Sequence, residues 1–332
     1  MINNVDIVAD LSWGDTGKGK VVSHLTKKNK YDFVCRWAGG NNAGHTVFLG
    51  GKKYKTHIIP CGVFHGVKSI IGPACVVDPD ALNEELEYLE RSGFDTSLVK
   101  VSPRAHIVTK EHIQEDKKEL AEKLGTTSKG IAPCYRDKMA RTGKLAKDIL
   151  PESLLWDEKL YGDILCEGAQ GFYLDVDWGN YPYVTSSTTL PYGACSLGFA
   201  PQKIRHIWGI CKAYDTRSGV DPLFPEKLLK DRRLSKLGTL GNELGVTTGR
   251  RRKCNWLNLD MMLDAARITG TTHLVVNKCD ILREFGMFKL FHNGELMKFK
   301  TYDEFTSYIT DQIPTCGSMI KHVFLSGDSE VI

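Results

Sequence analysis

Long hydrophobic runs and leader-like features are missing from the 332-residue sequence. No apolar stretch approaches the length that a membrane span needs, and the N-terminus lacks the basic and apolar regions of a signal peptide. Cys-x-x-Cys pairs are also missing, although the chain has 10 cysteines, most of them with apolar neighbours. We therefore expect a cytoplasmic protein that does not contact a membrane and whose cysteines are reduced and buried.

Strong charge imbalance and biased composition are missing as well. The formal net charge is only +4, and basic residues are dispersed except at positions 250–253, so charge alone does not indicate nucleic-acid binding. The 42% apolar and 25% charged residues are typical of a globular protein that buries a full core. Because the sequence has no internal repeat, low-complexity tract or flexible linker, one domain over residues 1–332 is the simpler expectation.

Short apolar runs that are typical of strands alternate with helical patterns along the first third of the chain. This alternation predicts an α/β fold with a mostly parallel central sheet flanked by helices. The patterns predict helices near 111–123 and over 135–147, 256–269 and 302–312, and an irregular stretch from 215 to about 243.

The segment 11–20, Leu-Ser-Trp-Gly-Asp-Thr-Gly-Lys-Gly-Lys, follows an apolar run and precedes a helical pattern. Its glycines allow a tight turn in which N–H groups and a helix N-terminus converge on an anion, which predicts a P-loop-like phosphate loop. Val21 stands where a P-loop has the hydroxyl that binds magnesium, so Asp15 is the candidate ligand. A glycine-rich turn that binds nothing is the alternative. The residues predicted to contact phosphate are Gly14, Gly17, Lys18, Gly19 and Lys20.

A second glycine- and asparagine-rich segment, 38–46, ends in Asn-Ala-Gly-His-Thr. A lone histidine is more often structural than catalytic. In a glycine-rich loop at the end of a strand, however, His45 could donate to a phosphate whose negative charge is growing.

The sequence Asn277-Lys-Cys-Asp280 ends an apolar run and has the form Asn-Lys-x-Asp. A carboxylate at this place can accept from N1–H and from the 2-amino group of guanine, whereas adenine does not offer those two donors. The stem of Lys278 can cover the face of the base. A solvated strand end is the alternative, and the phosphate loop earlier in the chain favours a guanine site.

The segment 247–253, Thr-Thr-Gly-Arg-Arg-Arg-Lys, places three arginines beside two hydroxyls. The planar guanidinium group binds carboxylates and phosphates with two parallel hydrogen bonds, so the cluster suits a small dianionic substrate. A nuclear-localisation or nucleic-acid patch is the alternative, but no further basic or aromatic surface accompanies the cluster.

Taken together, these motifs make the chain similar to the adenylosuccinate synthetases. The motifs that carry the resemblance occur in order at 13–20, 42–46, 125–127, 137–141, 167–171, 181–187 and 247–252. The resemblance implies the fold of that family and a homodimer. It also implies a ligase that uses GTP and Mg²⁺ to join L-aspartate to C6 of a purine nucleoside monophosphate through a 6-phosphoryl intermediate.

The resemblance also implies roles for individual residues. The catalytic residues would be Asp15, His45 and Gln170, with Asp15 and the backbone of Gly44 as metal ligands. The purine nucleotide would contact Asn42, Thr126, Thr127, Thr185 and, from the neighbouring subunit, Arg141. Aspartate would contact Thr247, Thr248, Arg250 and Arg252. GTP would contact the phosphate-loop residues together with Thr46, Asn277, Lys278, Asp280, Ser326 and Gly327.

Some positions depart from the cellular enzymes of the family. Those enzymes have Glu where this chain has Thr16, and Gly-x-Gln where it has Asp10-Leu-Ser; the opening here is similar to phage enzymes that act on dGMP. Thr16 and Ser218 are candidates for accommodating a 2-amino group. We therefore expect dGMP as the acceptor, with IMP as the alternative, and a host-cytoplasm location if the protein is phage-encoded. A regulatory GTP-binding protein is the alternative of another class.

Overall fold

A computed structural model describes residues 1–245 and 249–327 of the chain. In this part of the chain, the strands are β1 (Ile2–Asp10), β2 (Phe33–Arg36), β3 (His45–Leu49), β4 (Lys52–Thr56), β5 (Lys68–Ile71), β6 (Val76–Val77), β7 (Val99–Val101), β8 (His106–Ile107), β9 (Gly162–Glu167), β10 (Ile204–Lys212), β11 (Tyr214–Arg217), β12 (Lys253–Asn258), β13 (His273–Asn277), β14 (Phe288–His292), β15 (Glu295–Phe299) and β16 (His322–Leu325).

The same residues form the α-helices α1 (Lys18–Lys28), α2 (Pro79–Arg91), α3 (Lys110–Glu115), α4 (Ala121–Leu124), α5 (Ile131–Ala140), α6 (Arg232–Leu240), α7 (Leu259–Thr269), α8 (Cys279–Phe285) and α9 (Tyr302–Gln312). Short 3₁₀ turns occur in several of the connections. None of the described helices combines the length and the hydrophobicity that a membrane span requires.

The centre of the molecule is an eight-stranded sheet in the order β16-β13-β10-β1-β9-β2-β5-β7. Every neighbouring pair in it is parallel, and β1 pairs with both β10 and β9. Its central strands are buried on both faces, since apolar residues of β1 alternate between two core clusters. The predicted α/β fold with a mostly parallel sheet is therefore confirmed.

A smaller four-stranded sheet, β11-β12-β14-β15, packs beside the large one. The strand β11 follows β10 after a single residue and pairs antiparallel with β12. Another large core cluster joins this sheet to α7, α8 and α9 through residues such as Tyr214, Leu257 and Phe305, all fully buried. The second sheet therefore extends the core next to the ends of β10 and β13.

The helix predicted near 111–123 is interrupted. A π-helical turn over Asp116–Leu120 separates α3 from α4. The cause is the buried carboxylate of Asp116, which accepts hydrogen bonds from Thr126 Oγ1 at 2.6 Å and from the backbone N–H of Gly130 at 2.8 Å. This contact draws the helix toward the loop that follows it.

Three other sequence predictions were wrong in their boundaries. The helix predicted over 135–147 is α5, which begins earlier and ends at Ala140, and its C-cap, Arg141, is in the left-handed conformation (φ 65°). The first part of the helix predicted over 256–269 is strand β12, and the stretch predicted as irregular contains α6. Nine cysteines are described as free thiols, and all of these except Cys195 are buried, as the sequence predicted.

Candidate active site

The predicted site segments lie together because they follow parallel strands. The phosphate loop follows β1, the segment 37–44 follows β2, and the segment 168–171 follows β9. Asn277 ends β13, and Ser326 comes directly after β16. The carboxyl ends of parallel strands meet at one edge of a sheet, which is where open α/β folds bind ligands.

Asp10, at the end of β1, holds the phosphate loop in shape. Its buried carboxylate accepts from the backbone N–H of Ser12 at 2.8 Å and of Gly14 at 3.2 Å, from the Thr16 hydroxyl, and from Lys18 Nζ at 2.9 Å. These bonds satisfy both oxygens of a buried charge and fix the position of the Lys18 ammonium group. Sequence reasoning noted Asp10 only as a departure from the family pattern and missed this role.

The loop needs its glycines and its left-handed residues. Gly17 has φ 98°, and a Cβ at this position would lie 2.7 Å from the side-chain nitrogen of Asn277. That amide donates to the carbonyl of Thr16 at 2.6 Å. Asn277, predicted to contact GTP, thus joins the end of β13 to the phosphate loop.

Thr16 does not line the cavity where the sequence suggested it could make room for a base. Its side chain is buried, and its hydroxyl donates to Asp10. The interpretation of Thr16 as a pocket residue is therefore wrong, and the two departures, Asp10 and Thr16, form one hydrogen bond within the loop. Ser218, the other candidate, does line the cavity, and its buried hydroxyl has no hydrogen-bond partner among the described residues.

The carboxylate of Asp15 forms an ion pair with an arginine. Asp15 has φ 57°, and its Oδ2 accepts from Arg252 Nε at 3.0 Å and lies 2.9 Å from the NH2 nitrogen of the same guanidinium group. Its other oxygen, Oδ1, has no partner among the described residues. One carboxylate oxygen in the cavity is therefore available to a ligand.

A buried carboxylate, Glu243, fixes the other side of Arg252. Glu243 accepts from the NH1 nitrogen of Arg252 at 2.6 Å, from Lys212 Nζ at 2.8 Å and from the hydroxyl of Tyr214 at 2.8 Å. Burial alone would raise the pKa of Glu243, but the two cations Lys212 and Arg252 lower it to about 2. The site thus contains a buried charge network that no local motif revealed, because its members are scattered along the chain.

His45 is paired with a buried carboxylate that sequence reasoning left without a role. Its Nδ1 contacts Glu167, whose other oxygen accepts from the backbone N–H of Cys61 at 2.7 Å. The second ring nitrogen, Nε2, is buried and has no partner among the described residues. Burial lowers the pKa of His45, whereas the neighbouring charge of Glu167 opposes this shift. An ionised Glu167 can only accept, so Nδ1 is the donor in this contact.

A cavity of about 530 Å³ connects these groups. Its volume falls in the range of small-molecule and nucleotide pockets. The predicted site residues that line it are Gly14, Asp15, Lys18, Asn42, Gly44, His45, Thr126, Thr127, Gln170 and Thr185. These residues come from five separate segments of the chain, and the fold brings them together around one cavity.

Gln170 links the phosphate loop to the Asn42 segment. Its side-chain amide donates to Asn42 Oδ1 at 3.0 Å, and its backbone carbonyl accepts from Lys18 Nζ at 2.6 Å. Its own Oε1 is buried without a partner among the described residues. An acceptor is thus available beside Asn42, where a ligand can supply the donor.

The predicted guanine site surrounds the ends of β13 and β16. Lys20 Nζ donates to Ser326 Oγ at 2.9 Å and to the carbonyl of Gly327 at 2.5 Å, so Lys20 contacts this region and not the cavity. A Cβ on Gly327 would lie 3.0 Å from Asp280 Oδ2. Lys278 has φ 63°, and its ammonium group donates to the carbonyl of Gly241 at 2.9 Å.

The remaining predicted residues lie around the cavity or outside the described chain. Thr46 is the second residue of β3, and its backbone lies beside Gly19. Arg250 is exposed and donates to the carbonyl of Gly125 at 3.2 Å, and Arg141 is exposed at the end of α5. Thr247 and Thr248 lie outside the described residues.

Comparisons with known proteins give consistent matches. The model of the adenylosuccinate synthetase family matches residues 7–162 and 153–315. The adenylosuccinate synthetase of Desulforapulum autotrophicum is 37% identical over 358 residues, covering 90% of this chain and 82% of the relative. That of Bacteroides fragilis is 39% identical over 369 residues, covering 93% of this chain and 85% of the relative.

Two solved structures have the same fold. Fully ligated adenylosuccinate synthetase from Plasmodium falciparum has a TM-score of 0.80 at 26% identity, covering 97% of this chain and 96% of that one. The succinoaminodeoxyadenylate synthetase of cyanophage S-2L, bound to dGMP and to dATP as an energy donor, has a TM-score of 0.68 at 20% identity, covering 94% and 99%. The chain therefore belongs to the adenylosuccinate synthetase family of ligases, which form a carbon–nitrogen bond.

Proposed function

We propose that this protein is a GTP- and Mg²⁺-dependent ligase that joins L-aspartate to C6 of dGMP, which gives N6-succino-2-amino-2′-deoxyadenylate for diaminopurine DNA synthesis. The observation that carries the proposal is the meeting of Asp15, Lys18 and His45 in one cavity with the open acceptor of Gln170. A base, a cation and a ring nitrogen are the groups that phosphoryl transfer to a purine oxygen requires.

Asp15 is the base that takes the N1 proton of the purine. As the N1–H bond breaks, its electrons move through C6 to O6, which attacks the γ-phosphorus of GTP and displaces GDP. The amine of aspartate then attacks C6 and gives up one proton, the C6–O bond breaks, and inorganic phosphate leaves with the oxygen that was O6 and can carry that proton. The open Oδ1 of Asp15 supports this assignment.

The donor set around Asp15 also fits a magnesium ion. A hard cation beside phosphates takes one or two carboxylates and backbone carbonyls, and Asp15 and Gly44 line the same cavity. Bound there, Mg²⁺ would stabilise the negative charge on the transferring phosphoryl group. Lys18, held by Asp10 and by the carbonyl of Gln170, contributes a fixed positive charge on the same side.

His45 stabilises the transferring group by donating through Nε2. In the free site its Nδ1–H is directed to Glu167. A bound triphosphate brings negative charge next to the ring, which favours the imidazolium form. The Nε2–H bond then faces the phosphoryl oxygens while Glu167 balances the charge on the other side of the ring.

Arg250 and Arg252 are proposed to bind the carboxylates of aspartate. Arg252 is already fixed by Glu243 on one side, which leaves its Nε and NH2 edge facing the cavity residue Asp15. A planar edge of this kind binds a carboxylate with two parallel hydrogen bonds. With Mg²⁺ held by Asp15, the same edge of Arg252 would be available to aspartate.

The choice of dGMP over IMP rests on Ser218. Guanine and hypoxanthine share the reacting groups N1–H and O6. The two bases therefore differ only in the 2-amino group of guanine, which the enzyme must recognise by contact. Ser218 lines the cavity, and its buried hydroxyl has no partner within residues 1–245 and 249–327, so it is an acceptor that suits an amino group. The similar fold of the cyanophage synthetase, which was solved with dGMP, supports this choice.

GTP is the proposed donor because of Lys278 and Asp280. The Asp280 carboxylate lies beside Gly327, so the two ends of β13 and β16 form one edge that suits guanine. The cyanophage synthetase was bound to dATP as its energy donor, so the donor needs its own test.

The test is product analysis by mass spectrometry. The purified protein is incubated with Mg²⁺, L-aspartate, either GTP or ATP, and equal amounts of dGMP, GMP and IMP. We expect a succinyl adduct mainly on dGMP and mainly with GTP. An adduct on IMP alone would overturn the acceptor, equal use of ATP would overturn the donor site, and GTP hydrolysis that needs neither aspartate nor nucleotide would indicate a regulatory GTP-binding protein.

A further inference from the structure

A buried ion pair joins two of the loops that line the cavity. Arg217 Nε lies 3.6 Å from Asp221 Oδ2, and the two side chains are 12% and 0% exposed. Arg217 lines the cavity together with Ser218 and, from the other loop, Tyr183. Asp221 lies behind these residues, outside the described lining of the cavity. It can therefore affect a ligand only through its neighbours.

We propose that Asp221 is a positioning residue that determines the choice of acceptor: it acts through Arg217 to hold the Ser218 hydroxyl where it contacts the 2-amino group of the purine. The inference rests on the proposed function, because it concerns the same acceptor nucleotide. It goes further by assigning a role in specificity to a residue outside the cavity.

The Oδ1 atom of Asp221 ties its own loop to the neighbouring one. It accepts from the backbone N–H of Leu223 at 2.9 Å, which closes a turn in the segment 217–223. It also accepts from Asn180 Nδ2 at 2.9 Å, and Asn180 comes directly before the cavity residue Tyr181. Because the carboxylate is fully buried, water does not compete for these two bonds.

The guanidinium group of Arg217 holds the backbone on both sides of Ser218. Its NH2 nitrogen donates to the carbonyl of Tyr183 at 3.2 Å and to that of Val220 at 3.4 Å. A Cβ on Gly219 would lie 2.8 Å from its NH1 nitrogen, so the group packs directly on the Gly219 backbone. Ser218 thus lies between two residues, Arg217 and Gly219, whose positions depend on one guanidinium group.

The charge of Asp221 keeps that guanidinium group in place. Burial lowers the pKa of Arg217, whereas the charges of Asp221 and Asp15 oppose this shift. Within residues 1–245 and 249–327, Asp221 is the one carboxylate at ion-pair distance from Arg217. A buried cation that loses its partner is strongly unfavourable. Without this charge, Arg217 would turn toward Asp15 or toward a bound phosphate, and the Ser218 backbone would move with it.

A hydroxyl discriminates between two purines only if its position is fixed. The Ser218 hydroxyl is buried, and it has no partner among the residues that the structure describes. A fixed acceptor is left unpaired by a base that lacks the 2-amino group, which penalises that base. A hydroxyl on a loosened loop can instead bind water, so the penalty and the preference would both decrease.

The test compares two nucleotides, dGMP and dIMP, that differ only in the 2-amino group. Titration calorimetry of the full chain with Mg²⁺, and with GDP present to fill the donor site, gives the ratio of their dissociation constants. We expect the original protein to prefer dGMP. The variant Asp221→Asn keeps the shape of the side chain and removes its charge, so we expect that preference to fall by about tenfold. The affinity for GDP alone should not change.

Two further variants accompany Asp221→Asn. Arg217→Lys keeps the positive charge but loses the planar group that contacts the two carbonyls, so it should reduce the preference in the same way. Combining both changes should cause little further loss, since the two residues act as one unit. The control Asp231→Asn alters an exposed carboxylate that accepts from the backbone N–H groups of Arg233 and Leu234, and it should leave the ratio unchanged.

The outcomes separate this inference from the proposed function. If Asp221→Asn weakened the binding of dGMP and dIMP equally, Asp221 would have only a structural role and the inference would be wrong, while dGMP could remain the acceptor. If the original protein bound dIMP as tightly as dGMP, the choice of dGMP would be overturned as well. Should Asp221→Asn fail to fold, an unchanged ratio in Arg217→Lys would overturn the inference in its place.

Discussion

At the scale of single residues, the orientation of His45 depends on a buried carboxylate. Glu167 is fully buried, and its charge is maintained by His45, by Arg36 and by the N–H of Cys61, which together lower its pKa although burial opposes the shift. An ionised carboxylate at Nδ1 holds the proton there and stabilises the imidazolium form when it appears. Glu167 is therefore proposed as a positioning residue that acts through His45.

The variant Glu167→Gln tests this role. The amide keeps the shape of the side chain but removes the negative charge, so we expect kcat to fall by about 10²-fold or more while the KM for GTP changes little. The pH profile of kcat should also move, because the pKa of His45 loses the charge that raises it. Steady-state kinetics over a range of pH measures both effects.

A matched control is Glu85→Gln. Glu85 is also a buried carboxylate, and it accepts from the backbone N–H groups of His57, Ile58 and Ile59 outside the main cavity. Its replacement should lower stability without changing the pH profile of kcat. If the two variants altered kcat and its pH profile alike, Glu167 would have only a structural role.

Sequence reasoning found the residues that stand in local motifs and missed those that act from elsewhere in the chain. Asp15, Lys18 and His45 were predicted because glycines beside them indicated a ligand-binding turn. Glu167 was seen only as part of a motif, and Glu243 was not seen at all. A charge partner that comes from a different strand leaves no spacing in the sequence by which it can be recognised.

At the scale of secondary-structure elements, β11 and β12 extend the candidate site beyond the parallel sheet. The helical pattern over 256–269 did not reveal that Asn258 ends β12 and caps α7, with its side chain accepting from the backbone N–H of Met261 at 3.1 Å. Apolar residues such as Trp256 and Leu257 suit the buried face of a strand as well as that of a helix. The boundary between β12 and α7 therefore depends on the pairing of β12 with β11, which is a tertiary contact.

A carboxylate joins these two elements and makes stability depend on pH. Asp215 of β11 is buried and accepts from the backbone N–H of Asn258 at 2.8 Å. Burial raises the pKa of Asp215 to about 7, against about 3.9 in an unfolded chain. Between those two values the folded state holds a proton that the unfolded state has lost, so this group makes the protein less stable as pH rises from about 4 to about 7.

The variant Asp215→Asn removes this dependence, because the amide carries no charge at any of these pH values. We expect the variant to gain stability relative to the original protein as pH rises from 5 to 8, by about 1.4 kcal/mol for each unit of pKa shift that is removed. Urea unfolding at the two pH values measures the difference. If the difference in the free energy of unfolding between the variant and the original protein were the same at both pH values, the raised pKa of Asp215 would be contradicted.

At the scale of the whole molecule, the cavity opens onto a surface that suits a partner subunit. Met139 and Tyr181 line the cavity and are 72% and 78% exposed, and Trp178 is 52% exposed near them in the chain. Arg141 is exposed at the end of α5 and does not line the cavity of its own subunit. We therefore propose a homodimer in which Arg141 reaches the nucleotide of the neighbouring subunit.

Mixing inactive variants tests the dimer. Arg141→Ala lacks the residue supplied to the neighbour, and Asp15→Asn lacks its own base, so a mixed dimer has one complete site. After exchange of subunits we expect recovery of about one quarter of the original activity, since half of the dimers are mixed and each has one of two sites intact. Asp15→Asn mixed with His45→Asn, where both residues act within one subunit, should recover nothing.

Recovery of activity in that control mixture, or a single-subunit mass in sedimentation, would contradict the proposed dimer.

The fold class was predictable because the alternation of strands and helices is a local pattern, and the structure confirms it. The order of the eight strands was not, because pairings such as β1 with β10 join residues about two hundred positions apart. The expectation of one domain over 1–332 stays a prediction.

In the proposed mechanism, O6 of the acceptor nucleotide receives the phosphoryl group before aspartate replaces it. The most direct measurement uses dGMP labelled with ¹⁸O at C6, together with GTP, Mg²⁺ and L-aspartate, and follows the label by mass spectrometry. We predict that the label appears in inorganic phosphate and is lost from the succinyl product, and that Asp15→Asn transfers none. Phosphate without label, formed at the same rate as the succinyl product, would contradict the proposed mechanism.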